Sequence, residues 1–478
     1  MNKPIGRLFL VVLVMFAGLA GATSWWTVVK ADELNTEYTG QNRRDVLRGL
    51  KVRRGLIRAA DGTVLARSVR DREGIYSRRY PEAGLFAHAV GYSYASIAQS
   101  GIEQSRNDLL SGERGELGNV FAELLGRADS GDDVTTTLDP KGQRAALEAL
   151  GGRKGAVVAI EPETGAIRAM VSTPGYDPNA FRRRGVFGRL SEDEANSPLL
   201  NRATQAGYQP GSTMKVATAI AAIDSGRFSP ESRVNGRNGK EISGVPLNNF
   251  GQASYGDITL TEALTFSVNT VWAEVAETLG KATMDRYMDR LGFGADPPLD
   301  YPDDQMLPSG NYRKGRLIPP TSRFVDIGRM GIGQALLRVT PLQMAQVAAA
   351  VANDGELMEP RLVEKVVDRD GRTKEEIQPD EQNQVMSRES ARQVARMMAS
   401  VVREGSGTAA ALQGIEVAGK TGTAEVDVAR DIAQPWFIGF APTANGRMAV
   451  AATVERVPGG TGGAIAAPIA RRVLEALL

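Results

Sequence analysis

The sequence predicts an α/β (α+β) domain, a central sheet flanked by helices, over residues 151–478, behind a mixed module at 31–150 and a membrane-spanning helix within 1–30. Three observations carry this expectation. Strand-like apolar runs stand at both ends of the longer, C-terminal part with helical stretches between them, so its terminal strands should share one sheet. An uncharged stretch of 22 residues, Leu8 to Val29, is long enough to cross a bilayer core as a helix. The chain has 478 residues, and a single core stops growing near roughly 250–300.

The elements follow in chain order. Lys3 and Arg7 precede the apolar stretch, as in a short cytoplasmic tail. Ala20-Gly21-Ala22 resembles a signal cleavage site. Trp25, Trp26, Val28 and Val29 carry the apolar character past it, and paired tryptophans suit a membrane interface, which favours an anchor. Arg43, Arg44, Arg48, Lys51, Arg53 and Arg54 follow, but long domains translocate largely regardless of such charges, so the bulk of the chain is expected outside. In the first module Leu56-Ile57 and Val64-Leu65 flank the turn Ala60-Asp61-Gly62 like a short hairpin, and Asp129-Ser130-Gly131-Asp132 signals another turn. Gly155 to Ile160 and Ala166 to Val171 read as a buried hairpin. Thr213 to Ile223 and Pro341 to Asn353 read as helices. Trp436 to Phe440 and Met448 to Val454 are again strand-like, and Ile465 to Leu478 reads as an amphipathic closing helix.

Composition removes several kinds of chemistry. With 57 basic and 56 acidic residues the net charge is +1, which gives no electrostatic reason to expect nucleic acid as a partner. There is no cysteine, hence no disulfide, thiolate nucleophile or cysteine-based metal site. The single histidine, His88, excludes a multi-histidine metal site and reads as structural. Any serine nucleophile is therefore expected to use lysine or a carboxylate as its base.

Ser212-Thr213-Met214-Lys215 opens the run Val216 to Ile223, which is apolar almost all round and so belongs to a buried helix. Spacing i to i+3 puts Ser212 and Lys215 on one face. The helix N-terminus offers unpaired N–H groups where an oxyanion or carboxylate can sit, and apolar surroundings disfavour the ammonium, so a neutral Lys215 could take the Ser212 proton. Ser267-Val268-Asn269 supplies a hydroxyl able to pass a proton and an amide able to hold a carbonyl, although the tripeptide alone reads equally as a cap or turn. Lys420-Thr421-Gly422-Thr423 combines a cation, two hydroxyls and a side-chain-free glycine, suited to an edge strand to which an extended peptide can add.

In this order the three motifs resemble the S-x-x-K, S-x-N and K-T-G set of penicillin-binding proteins and serine β-lactamases. Leu200-Asn201-Arg202-Ala203, Tyr208-Gln209-Pro210-Gly211-Ser212, Gly331-Ile332-Gly333-Gln334, Thr340-Pro341-Leu342-Gln343 and Lys420 to Glu425 are similar to class B transpeptidase domains. Arg54-Gly55-Leu56-Ile57, Asp61-Gly62 and Gly101-Ile102-Glu103 resemble the class B pedestal, with Ala60 where an arginine is usual. The resemblance implies a peptidoglycan D,D-transpeptidase without cofactor or metal. Ser212 would attack the D-Ala-D-Ala carbonyl of a donor stem peptide, with Lys215 as base and Ser267 relaying a proton to the departing D-Ala. Asn269 would hold the donor amide, while Lys420, Thr421 and Thr423, with Gly422 between them, bind the terminal carboxylate. Backbone N–H groups of Ser212 and Thr423 would form the oxyanion hole. It also implies β-lactams as inhibitors and, as there is no separate segment of glycosyltransferase length, a SEDS-type glycosyltransferase as membrane partner.

Rival readings exist. Gly414 to Thr421 satisfies the phosphate-loop pattern G-x-x-x-x-G-K-[ST], whose mechanics need a strand before the loop and a helix after it. Within the same fold, a D,D-carboxypeptidase, a β-lactamase or a β-lactam sensor shares the motifs. The anchor and the preceding module speak against a compact β-lactamase.

Overall fold

The structure, a computed structural model, describes residues 2–25, 50–112, 130–444 and 446–478. It opens with helix α1 (Asn2–Ser24), within which Gly6–Thr23 is long and apolar enough to cross a membrane and is not buried among the described residues. Trp25 is exposed. Trp26, Val28, Val29, Arg43, Arg44, Arg48 and Asp129, on which sequence expectations rest, lie outside the described residues.

The first module contributes strands β1 (Ile57–Arg58), β2 (Val64–Arg70), β3 (Tyr76–Arg79) and β4 (Asp133–Thr136). Helix α2 (Pro140–Leu150) follows, capped by Asp139, whose carboxylate accepts from the N–H groups of Lys141 and Gly142. The hairpin β5 (Gly155–Ile160) and β6 (Ile167–Thr173) comes next. Helices α3 (Lys215–Asp224), α4 (Asn269–Leu279) and α5 (Pro341–Ala352) occupy the middle, then strands β7 (Val363–Val367) and β8 (Thr373–Glu376) and helix α6 (Arg388–Glu404). The chain closes with β9 (Ala418–Asp427), β10 (Ile432–Thr443), β11 (Gly446–Val454) and α7 (Ala467–Leu477).

Strands from both ends of the longer part form one antiparallel sheet of order β9-β10-β11-β5-β6, with Val457–Pro458 added beside β10. The run Gly155 to Ile160 is continuously apolar because this strand is covered on both faces. Val157 and Ala159 pack with residues of α2 and α7, whereas Val158 and Ile160 face the opposite layer, where every residue of α5 is buried. Strand β9 is the edge of this sheet, with its outer side toward the segment that precedes α3.

A second six-stranded sheet has the order β8-β7-β4-β1-β2-β3. The expected hairpin around Asp61-Gly62 is present, with Ile57 opposite Ala66. Strands β7 and β8 reach this sheet from far along the chain, and α2 packs on the other sheet, so the two sheets do not divide the sequence at a single point. The carboxylate of Asp300 fastens that crossing, accepting from the N–H groups of Leu362 and Val363 at 2.6 and 2.7 Å. Arg54 and Glu103 are joined: Arg54 Nη2 lies 3.0 Å from Glu103 Oε2, and the buried Arg78 donates to Glu103 Oε1 at 2.5 Å.

Candidate active site

Ser212 lies in a 3-10 turn, Gly211–Met214, that runs directly into α3. Two glycines set this turn in place. Gly211 donates its N–H to Gly333 O at 3.0 Å, and Gly333 has φ +80 with a Cβ position only 2.0 Å from Gly211 O, so no side chain fits there. On the other side a Cβ at Gly422 would meet Pro210 O at 2.6 Å. The helix start is thereby pressed against edge strand β9. Trp436, on β10, locks the same spot by donating Nε1–H to Gln209 O at 3.0 Å.

Lys215 is the first residue of α3 and fully buried. Its Nζ donates to Ser267 O at 2.8 Å, Ser267 Oγ at 3.2 Å and Asn269 Oδ1 at 2.7 Å. Lys420, also fully buried, reaches from β9 to the same hydroxyl, with Nζ 2.9 Å from Ser267 Oγ, and to Thr421 O at 3.0 Å. Ser267 thus stands between two lysines, Lys420 reaching it from 153 residues further along the sequence. It links the helix Leu260–Thr265 to α4 at φ +57, a left-handed conformation that serine rarely adopts and the surrounding packing enforces. Asn269 is pinned at its other end, donating Nδ2–H to Asn248 O at 3.0 Å.

Among the described residues no carboxylate forms an ion pair with Lys215 or Lys420. Burial pushes the Lys215 ammonium well below its ordinary pKa, and the neighbouring Lys420 adds to the shift. Burial alone brings Lys420 down to about 7. Both shifts favour the neutral amine over the ammonium.

Ser212 is half-buried and makes no side-chain hydrogen bond among the described residues; the Lys215 ammonium is turned to Ser267 and Asn269. Catalytic hydrogen bonds of unliganded sites commonly tighten only on complex formation. Thr423 Oγ1 accepts from Gly462 N at 3.1 Å, and Thr421 Oγ1 shares a hydrogen with Ser406 Oγ at 2.5 Å. Ser406 was not singled out in the sequence. It sits in the loop that ends α6, where its N–H reaches Thr265 O and a Cβ at Gly463 would lie 2.5 Å from its carbonyl. A lone serine between two glycines carries no signal until this loop folds over β9.

His88 lies elsewhere, donating Nε2–H to Pro198 O at 2.9 Å and meeting Tyr176 edge-on at 5.2 Å; burial lowers its pKa to about 4. The phosphate-loop reading fails. Lys420 and Thr421 lie inside strand β9, which continues to Asp427 and passes into β10 through only the three-residue 3-10 turn Val428–Arg430, so no helix follows the motif to receive a phosphate.

Comparison with known proteins is consistent along the chain. Residues 155–475 match the penicillin-binding protein transpeptidase domain and residues 54–134 the penicillin-binding protein A dimerisation domain. The chain is 34% identical over 505 residues to a peptidoglycan D,D-transpeptidase, PbpA, of Mycolicibacterium smegmatis, covering 100% of this chain and 99% of that one. It is 30% identical to the peptidoglycan D,D-transpeptidase MrdA of Haemophilus influenzae, over 84% of this chain and 69% of that one. Among solved structures it resembles penicillin-binding protein A of M. tuberculosis in its ceftriaxone acyl-enzyme complex, with a TM-score of 0.81, 31% identity, and 90% and 100% of the two chains covered.

Proposed function

We propose, on the premise that this chain belongs to the class B penicillin-binding protein transpeptidase family, that it is a serine D,D-transpeptidase cross-linking peptidoglycan stem peptides through a Ser212 acyl-enzyme. The observation that carries the assignment of roles is the shared hydroxyl: Ser267 Oγ lies 3.2 Å from Lys215 Nζ and 2.9 Å from Lys420 Nζ. Neutral Lys215 takes the Ser212 proton as Ser212 Oγ bonds to the penultimate D-Ala carbonyl carbon. The N–H groups of Ser212 and Thr423 hold the oxyanion, a contribution of about 3–4 kcal/mol per donor. The peptide C–N bond then breaks, and the terminal D-Ala amine leaves with a proton relayed through Ser267. An amine from a second stem attacks the ester, returns its proton along the same path and frees Ser212.

Lys420 in its ammonium form, with Thr421 and Thr423, binds the terminal carboxylate. Asn269 holds the donor amide. Lys215 and Lys420 divide the work because one must be neutral while the other is charged, a division that their closeness promotes. In place of histidine the site uses desolvation to make its base. The same constellation is the target of β-lactams, whose carbonyl and carboxylate occupy the donor's place.

We assign residues 1–30 to a single-pass anchor, 31–150 to a pedestal, whose sheet is completed by β7 and β8 from later in the chain, and 151–478 to the transpeptidase unit outside the membrane. The apolar α1 supports the anchor. A SEDS-type glycosyltransferase as membrane partner follows from the family resemblance. The test of the chemistry is covalent labelling of the full chain with a fluorescent penicillin. Wild type should label stoichiometrically and Ser212→Ala not at all; equal labelling of both would remove Ser212 from its role.

A further inference from the structure

A cavity adjoins the edge strand just past Thr423. It encloses about 510 Å³ and is lined by Gln209, Arg338, Glu425, Gln434, Glu455 and Arg456, among others. Its charges are not matched to one another. Arg338 is half-buried and donates only to the carbonyls of Ala335 and Leu337; among the described residues no carboxylate pairs with it or with Arg456. Glu425 is exposed and without a cationic partner among the same residues. Glu455 differs, since its Oε1 already holds Arg202 Nε at 2.7 Å and Tyr208 OH at 2.5 Å. The cavity thus presents two guanidinium groups and one carboxylate with capacity left over.

Position says what reaches it. On the reading proposed above, a donor peptide lies along β9 with its terminal carboxylate at Lys420 and Thr421 and its scissile carbonyl at Thr423. An extended chain advances about 3.3 Å per residue. The residue before D-Ala-D-Ala then falls beside Ala424 and Glu425, at the mouth of the cavity. We propose that this cavity is the subsite for the donor's third-residue side chain, and that it selects a diamino acid ending in a zwitterionic amino-carboxylate centre. The ammonium meets Glu425, and the carboxylate meets Arg338 and Arg456, a planar fork that suits a carboxylate. Burial lowers the Arg338 pKa, the mark of a cation lacking a counter-ion. A side chain with an amine alone would satisfy Glu425 but leave Arg338 unpaired, and an apolar one would satisfy neither.

This inference rests on the transpeptidase reading, and one experiment separates the two. Full-length protein in detergent is acylated with a fluorescent penicillin in the presence of N-acetyl-X-D-Ala-D-Ala peptides, where X is meso-2,6-diaminopimelate, L-lysine or L-norleucine. The concentration that halves labelling is recorded, each variant being referred to its own uncompeted rate. In wild type the diaminopimelate peptide should compete about tenfold more effectively than the lysine peptide, and the lysine peptide better than norleucine. Arg338→Gln should collapse the first ratio and Glu425→Gln the second; Arg456→Ala is the further variant should Arg338→Gln fold poorly. Ratios within one variant do not depend on the folded fraction. Equal competition by all three peptides, no competition by any, or ratios indifferent to these substitutions would overturn the subsite. Absence of penicillin labelling in wild type would instead overturn the function on which it rests.

Discussion

Arg78 and Glu103 in the first module are nearly as inaccessible to water as Lys215 and Lys420 in the site, yet the two clusters meet burial in opposite ways. Glu103 takes Arg78 and Arg54 as direct partners. Although burial by itself would raise the Glu103 pKa, the two guanidinium groups hold it below the ordinary carboxylate range. Among the described residues the lysines have Ser267, Asn269 and the carbonyl of Thr421 as partners but no carboxylate, and both are pushed down. Arginine remains charged in any protein setting, whereas lysine can be made to give up its proton. A paired cluster holds segments 54–57 and 101–103 together; one without a counter-charge favours the neutral amine.

The largest test exchanges one solution for the other. Lys215→Arg keeps a cation in the site but cannot supply a neutral base. β-lactam acylation measured by stopped labelling should fall by about 10²–10⁴-fold, while the unfolding midpoint moves little. A wild-type acylation rate in that variant would end the lysine-base assignment. Glu103→Ala is the converse. It strands two arginines, one of them fully enclosed, and should cost about 3–5 kcal/mol in denaturant unfolding while the folded fraction acylates normally. If stability were unchanged and acylation lost, the two clusters would have to be treated as one system.

Proton occupancy sharpens the contrast further. On the proposed roles, acylation needs Lys215 neutral and Lys420 charged. The rate should rise with pH as Lys215 loses its proton and decline above about 7 as Lys420 loses its own. Lys420→Arg, which stays charged, should move the alkaline limb upward even where it lowers the maximum. A decline still centred near 7 in that variant would place the titration elsewhere. The smallest effect is expected at Ser406, whose hydroxyl lies 2.5 Å from Thr421 Oγ1. If Ser406 orients Thr421 toward the donor carboxylate, Ser406→Ala should weaken pre-acylation binding about three- to tenfold, with the limiting acylation rate little changed and Ser406→Thr restoring part of the loss. A loss confined to the limiting rate would assign Ser406 a different part.

Much was legible without coordinates because it is local. The apolar window of α1, the hairpin of β5 and β6, the helix behind Ser212 and the strand character of Trp436 to Phe440 depend on periodicity and turn residues within a few positions. The absence of cysteine and the solitary His88 leave lysine or a carboxylate as the base for a serine. The three motifs carried the residue types that the chemistry needs, and their joint order carried the family.

Other features belong to the fold alone. Nothing in Val363 to Glu376 says that these strands complete a sheet begun at Ile57, since pairing partners far apart in the chain leave no mark in either segment. Nor does the lysine of Lys420-Thr421-Gly422 announce that its Nζ will meet Ser267 Oγ, or a serine between glycines that it will sit beside Thr421. The depressed pKa values have the same origin. Residue type makes a lysine able to lose its proton, but only the layers closing over α3 and β9 remove the water that would keep it charged.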